Sequence, residues 1–193
     1  MKKLIIVIII ILIIIMVTGT IIVIKEKKNT KNTTKYSDEL QKLIDKDTKY
    51  DKLLEIKYSN SGNSLGNVDI TTLYVNDNIL TTEFATTHDE PIKITEYKVS
   101  KDNISYFKDM IKEYNFPAWR DLEMSDLIAL DGPTRSITFV YDNTNINNRP
   151  YEAYTIYYDM LIPDDGREAL KQIEKELLSL PKEKNKIKEY TRK

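Results

Sequence analysis

The chain reads as an α+β protein: an N-terminal transmembrane helix followed by one domain with an antiparallel sheet of about six strands and two packed helices, in the order four strands, helix, two strands, helix. Three observations predict this. Leu4 to Ile24 is a run of 21 residues without a charge. Apolar and polar residues alternate in short stretches between residues 51 and 158. Two further stretches, after Ser100 and after Asp164, repeat apolar residues at the three- and four-residue spacing of a helix.

Leu4 to Ile24 is almost entirely Ile, Leu, Val and Met, relieved by Thr18, Gly19 and Thr20. At about 1.5 Å per residue a helix of this length spans roughly 30 Å, the apolar thickness of a bilayer. A helix apolar on every side belongs in lipid or deep inside a large protein. Lys2 and Lys3 close one end and Lys25, Lys27 and Lys28 the other, which pins both ends to headgroups. Residues 1–25 are therefore expected to be a signal-anchor whose partner is the lipid bilayer. The alternative is a cleaved signal peptide cut near Val17-Thr18-Gly19; Ile21 to Ile24 continue the apolar run past that cut and favour the uncleaved anchor. With no cysteine, the chain has neither a lipid-modified cysteine nor a disulfide framework.

Orientation sets two rules against each other. The positive-inside count compares Lys2 and Lys3 with Lys25, Lys27, Lys28, Lys31 and Lys35, and by itself places the domain in the cytoplasm. A short basic tail, one span and a long folded domain is the usual layout of an exported signal-anchor protein. The expectation is an extracytoplasmic domain on a single-pass cell-membrane protein.

Residues 26–50 read as a tether and a short helix. The stretch KEKKNTKNTTK, residues 25–35, has no hydrophobic residue and cannot bury enough surface to order itself. From Ser37 to Asp45 a helix is expected, with Ser37 as cap, Asp38 and Glu39 in the first turn, and Leu40, Leu43 and Ile44 on one face. The α+β domain then fills residues 51–180, enough for one core and too few for two. Leu53, Leu54, Ile56 and Tyr58 mark a first strand, ended by the loop Ser59 to Gly66. Val68, Ile70, Thr72 and Tyr74 alternate along a second. Asn76-Asp77-Asn78 turns the chain into a third, Ile79 to Thr86, and Pro91 introduces a fourth through Ile92, Ile94, Tyr97 and Val99. Ser100 caps a helix striped by Ile104, Phe107, Met110, Ile111 and Tyr114, which covers one face of the sheet. Asn115 to Pro133 is too mixed in pattern to assign. Arg135 to Tyr141 and Tyr151 to Tyr158 extend the sheet around the polar loop Asp142 to Pro150. A last helix starts at Asp164 and Asp165, presents Ala169, Leu170, Ile173 and Leu177, and stops before Pro181. Residues 181–193 form a basic tail expected to fray; from Lys182 it carries six positive and two negative side chains.

Charge excludes one class of partner. Without Lys2 and Lys3 the chain holds 27 basic against 30 acidic residues, which leaves no nucleic-acid footprint. Candidate sites are few. His88 is the one histidine and sits in an expected turn; with no cysteine, a zinc site lacks its usual ligands, so no metal and no cofactor is expected. Asp121, Glu123, Asp126 and Asp131 form the densest acidic group. They suit a hard cation chemically, but their spacing fits no calcium loop, and Leu122, Met124, Leu127, Ile128 and Leu130 make them the wet side of a packed segment. The loop Asp142 to Asn148 lacks the glycine and distal glutamate of an EF-hand. Ser59, Ser61 and Ser64 have no nucleophile-elbow pattern, and Gly62 and Gly66 are not followed by the lysine and hydroxyl of a phosphate loop. No catalytic residue is expected on these grounds.

The compositional excess is aromatic: thirteen tyrosines, four of them (Tyr151, Tyr154, Tyr157 and Tyr158) crowded into one strand, and a lone Trp119 after Phe116-Pro117. Exposed aromatics make contact surfaces, whereas strand aromatics more often half-bury in a sheet. Trp119 is the foremost surface candidate, with Asp121, Asp126, Asp131 and Tyr154 as further binding candidates.

The runs Tyr58-Ser59-Asn60-Ser61-Gly62, Tyr97-Lys98-Val99-Ser100, Trp119-Arg120-Asp121-Leu122 and Asp131-Gly132-Pro133 together resemble a domain of uncharacterised membrane-attached α+β proteins of low-GC Gram-positive bacteria, over about residues 52–180. The resemblance implies a Gram-positive envelope location and no particular activity. The function expected is that of a non-enzymatic binding or accessory module at the envelope, meeting a protein or cell-wall partner through a sheet edge or the Trp119 segment. Two alternatives stand beside it: a hydrolase using Asp121 and Asp126 as acid and base, and a cytoplasm-facing membrane-tethered regulator.

Overall fold

The computed structural model describes residues 35–49, 52–61, 66–87, 89–123, 134–147 and 150–192. The expected membrane segment Leu4–Ile24 lies outside them, as does His88, and among the described residues no helix is long and apolar enough to cross a membrane. The chain divides into two units, 1–38 and 39–193; the second holds an α+β fold built on a seven-stranded antiparallel sheet.

The strands are β1 (Lys52–Ser61), β2 (Val68–Tyr74), β3 (Ile79–Ala85), β4 (Ile92–Lys98), β5 (Thr134–Asp142), β6 (Glu152–Tyr157) and β7 (Lys186–Arg192). Their spatial order is β6-β5-β1-β2-β3-β4-β7. The first four follow one another as the expected meander. Asn78, with φ of 55°, supplies the left-handed residue that the turn between β2 and β3 needs, a conformation Asn tolerates better than most residues. Three helices accompany the sheet: α1 (Asp38–Ile44), α2 (Lys101–Tyr114) and α3 (Asp164–Ser179). α2 carries the chain from β4 across the sheet to β5, and α3 carries it from β6 at one edge to β7 at the other.

One face of the sheet is apolar and lies under α2 and α3. Ile56, Leu73, Leu80, Ile137, Phe139 and Ile156 project from it and are fully buried. A register shift between Leu53 and Glu55 lets both Leu53 and Ile56 face inward although they lie three residues apart, which is what a bulge does to strand periodicity. From the helices, Ile104, Phe107 and Ile111 and then Ala169, Leu170, Ile173 and Leu177 complete the core. The Ser100 hydroxyl accepts a hydrogen bond from the Asn103 amide at 3.2 Å and caps α2 as its sequence predicts.

Asn115 ends α2 in the left-handed region, with φ and ψ both 48°, and its buried side chain does a second task. Its amide nitrogen donates to the carbonyls of Leu43, Ile44 and Lys46 at 2.8 to 3.2 Å, and its oxygen accepts from the Thr48 hydroxyl at 2.6 Å. Leu43 and Ile44 close α1 and Lys46 lies in the turn after it, so one side chain caps the C-terminal end of a helix distant in sequence.

Two expectations are corrected here. The sheet has seven strands instead of about six, because the basic stretch after Lys182 does not fray: residues 186–192 add β7 beside β4. The loop Asp142 to Pro150 holds one helical turn, Thr144–Asn147, whose start Asp142 caps by accepting from the Thr144 amide at 3.1 Å and hydroxyl at 2.7 Å. These bonds hold the Asp142 carboxyl below its usual range.

Candidate functional site

Trp119 is a core residue, which corrects its reading as a surface contact. Asn115 begins and Pro117 stiffens a short 3-10 helix, Phe116–Asp121. A three-residue period sets Phe116 and Trp119 on the same side. Both are fully buried, 4.6 Å apart between ring centres, and Phe116 stacks on Phe139 of β5 at 5.2 Å. The indole N–H donates to the Tyr114 carbonyl at 3.0 Å, so burial leaves no polar atom wanting.

The same short helix meets β6, and there Tyr154 joins it. Tyr154 is buried, edge-on to Tyr141 at 5.6 Å, with the Arg120 guanidinium 5.4 Å above its ring. Arg120 also reaches Glu152 at 3.3 Å, and the buried Asn143 side chain donates to the other oxygen of that carboxylate. Burial, then the Glu152 carboxylate, pushes the Tyr154 phenol above its ordinary value. Of the expected candidates, Trp119 and Tyr154 are thus brought to one corner of the fold. Asp121 closes the 3-10 helix with its backbone, while Asp126 and Asp131 lie outside the described residues.

A polar cluster that the sequence did not reveal lies between sheet and α3. The Tyr158 hydroxyl donates to Glu174 at 2.5 Å, and Arg135 approaches the other oxygen of that carboxylate at 3.8 Å while lying 4.8 Å from the centre of the Tyr158 ring. Tyr58 of β1 faces the same glutamate: burial first, then Glu174, raises its phenol from 10.0 to about 12, and Tyr158 is raised further by the same two causes. Both phenols stay protonated at physiological pH; Tyr158, just past β6, donates to α3, and Tyr58 faces the same carboxylate from β1. Four residues from four segments compose this cluster, which is why no local motif signals it.

The second face of the sheet carries no helix among the described residues, and its composition follows from the strand register. One row runs Thr155–Thr138–Lys57–Thr72–Thr81–Glu96–Lys188 across all seven strands, with the Thr138 and Thr155 hydroxyls bonded at 2.9 Å. The next runs Tyr157–Ser136–Ser59–Ile70–Glu83–Ile94–Tyr190. A third holds Ala153, Val140, Glu55, Tyr74, Ile79 and Lys98. Threonines and serines share the middle with Glu55, Lys57, Ile70 and Ile79; Thr72, Thr81 and Ser136 are buried there, while Ser59, Thr138 and Thr155 are half-buried. Exposed Tyr157 and Tyr190 stand at the two ends, and the charges near β7 are paired: Glu96 with Lys188 at 3.0 Å and Glu83 with Arg192 at 2.8 Å.

Elsewhere, a groove of about 340 Å³ runs along α3 beside Tyr114, and its Glu168 and Lys171 are paired with each other at 2.8 Å. Among the described residues no group of three or more His, Cys, Asp or Glu side chains comes together as a metal site would require. The arrangement is a mixed sheet face with partly exposed polar and aromatic side chains, flanked by the edge strands β6 and β7. No family model matches this chain, and no curated protein matches it.

Proposed function

We propose that this chain is a single-pass, membrane-anchored module of a bacterial envelope, held by Leu4 to Ile24, that binds a protein or cell-wall component through the helix-free face of its sheet. The observation that carries the reading is the row structure of that face. Three tyrosines, Tyr74, Tyr157 and Tyr190, stand around a mixed face on which the half-buried Ser59, Thr138 and Thr155 meet Glu55 and Lys57, and its charges near β7 pair with one another. A surface of that kind recognises a partner by hydrogen bonding and aromatic contact, without the converging titratable groups that general acid and base work needs. The burial of Trp119 supports a contact through the sheet in preference to one through the 3-10 helix. The resemblance to membrane-attached proteins of Gram-positive bacteria supports an envelope location, and the layout of a short basic tail, one span and a long domain favours the outer side of the membrane.

The test uses the full-length chain in the cells that make it, with a photo-crosslinking residue at Tyr157 or Tyr190, or at the exposed Glu168 on α3 as the comparison position. Adducts from the sheet positions and none from Glu168 support the reading. Equal adducts, or none, sink it. Protease shaving of intact cells checks the side of the membrane, since a domain left uncut is not exported. Full-length protein in the soluble fraction of a detergent-free lysate would remove the anchor.

A further inference from the structure

β7 is held to the domain unlike any other strand. Lys186 is half-buried and every residue from Ile187 to Arg192 is exposed, so the strand contributes no side chain to the core. Its attachment is the backbone ladder to β4 and a set of polar contacts: Lys188 to Glu96 at 3.0 Å, Arg192 to Glu83 at 2.8 Å, Glu189 to Lys93 at 3.1 Å, and the Tyr190 hydroxyl to Glu96 at 3.2 Å. Ion pairs whose basic partner lies in solvent each contribute little, and they weaken with salt. The ladder itself is interrupted by a register shift between Glu96 and Tyr97. What β7 covers is less dispensable: it closes the edge of β4 and lies in register with Ile94, which is only 4% exposed. A bare β4 edge beside an apolar residue is a template for strand pairing.

The charge pattern names the strand that fits this edge. Glu83 and Glu96 on the open face require basic residues two positions either side of a site facing Ile94, and Lys93 on the other face requires an acid. Lys188, Glu189 and Arg192 meet that requirement, and every copy of the chain carries them. β7 follows α3 through Leu180, Pro181 and the 3-10 turn Glu183–Asn185, a connection that belongs to neither α3 nor the sheet. We infer that β7 is an exchangeable strand and that two copies of this chain associate by laying the β7 of each on the β4 of the other. The contacts made are the same in the closed and the exchanged forms, so exchange costs little beyond association, the general basis of swapping between identical chains.

The chain has no cysteine, which makes a clean test possible. Lys93 and Thr191 are exposed and directly opposite across β4 and β7. Full-length Lys93→Cys and Thr191→Cys chains, differently tagged and produced together in the same membrane, are expected to form a mixed disulfide. The pair Lys93→Cys and Lys188→Cys is expected to form none, because Lys188 lies opposite Glu96 on the other face. Absence of the mixed disulfide, or equal yields from both pairs, overturns the inference. If the cysteine chains misfold, a charge exchange decides: a Lys188→Glu, Arg192→Glu chain should co-capture a Glu83→Lys, Glu96→Lys chain and lose capture of a second copy of itself. Failure of that heterotypic capture overturns the inference equally.

Discussion

Gly166 and Trp119 are fitted to each other across the core. A Cβ placed on Gly166 would stand 2.8 Å from the indole Cη2, with Ile162 and Leu40 each at 3.3 Å. The first turn of α3, the 3-10 helix and α1 therefore meet at a point with no room for a methyl group.

Gly166→Ala is expected to destabilise the domain. Alanine gains roughly 1 kcal/mol over glycine inside a helix, but overpacking a rigid ring costs about 1–3 kcal/mol, and the indole, pressed by Phe116, has nowhere to move. The measurement is equilibrium unfolding followed by Trp119 fluorescence, for which the single tryptophan is a clean reporter. A midpoint at or above that of the parent would show the core to be looser than described.

Asn115 joins two devices that substitutions separate. Asn115→Gly keeps the left-handed backbone but removes the amide that caps α1, at an expected cost of about 1–3 kcal/mol for the unsatisfied carbonyls. Asn115→Ala adds backbone strain of roughly 1–2 kcal/mol. Amide exchange across residues 40–48 should accelerate in both variants, more in the second, while β1 is less affected; unchanged exchange there would disprove the cap.

Stability should fall at alkaline pH. Tyr58 ionises near its usual 10.0 when unfolded and at about 12 when folded, and Tyr74, Tyr154 and Tyr158 are raised in the same direction. A raised folded pKa adds stability that is complete below the unfolded value and lost as pH climbs through the folded one. The loss therefore begins near pH 10 and is complete for Tyr58 above about 12. Tyrosinate absorbance against pH, compared with unfolding at each pH, checks the window. Phenols ionising together near 10 in a folded protein would contradict it.

Tyr158→Phe removes the Tyr158 donor to Glu174 and leaves that carboxylate to Arg135 and Tyr58. The expected cost is about 1.5–3 kcal/mol, typical of a lost bond to a charged group. Arg120→Ala, by contrast, breaks an ion pair whose arginine side chain is 53% exposed, and should cost under about 1 kcal/mol. Thermal unfolding of the two variants side by side checks the ranking; an equal or reversed order would place the anchoring interaction at the wrong corner.

Much of the fold was legible because apolar and polar residues follow the right period. The meander stands where Val68, Ile70, Thr72 and Tyr74 predict it, although those residues line the helix-free face and Leu73 is what β2 gives to the core; both long helices stand where their apolar stripes, such as Ile104, Phe107 and Ile111, predict them. β7 was hidden because an edge strand exposed on both faces has no apolar face to betray it: Lys186, Lys188, Glu189 and Arg192 read as solvated tail. Trp119 misled for another reason. Aromatic residues beside a proline look like a surface loop until the three-residue period pairs Phe116 with Trp119 and the Tyr114 carbonyl satisfies the indole. The Glu174 cluster was beyond reach, since Tyr58, Arg135, Tyr158 and Glu174 are joined by the folded topology alone.

The strand order also sets a timetable for biosynthesis. β1 to β4 can zip together as successive hairpins while the chain is still being made, yet the edge of β4 stays bare until residues 186–192 emerge, after the other six strands. A ribosome that stops short of β7 would release a nearly complete sheet with an open border.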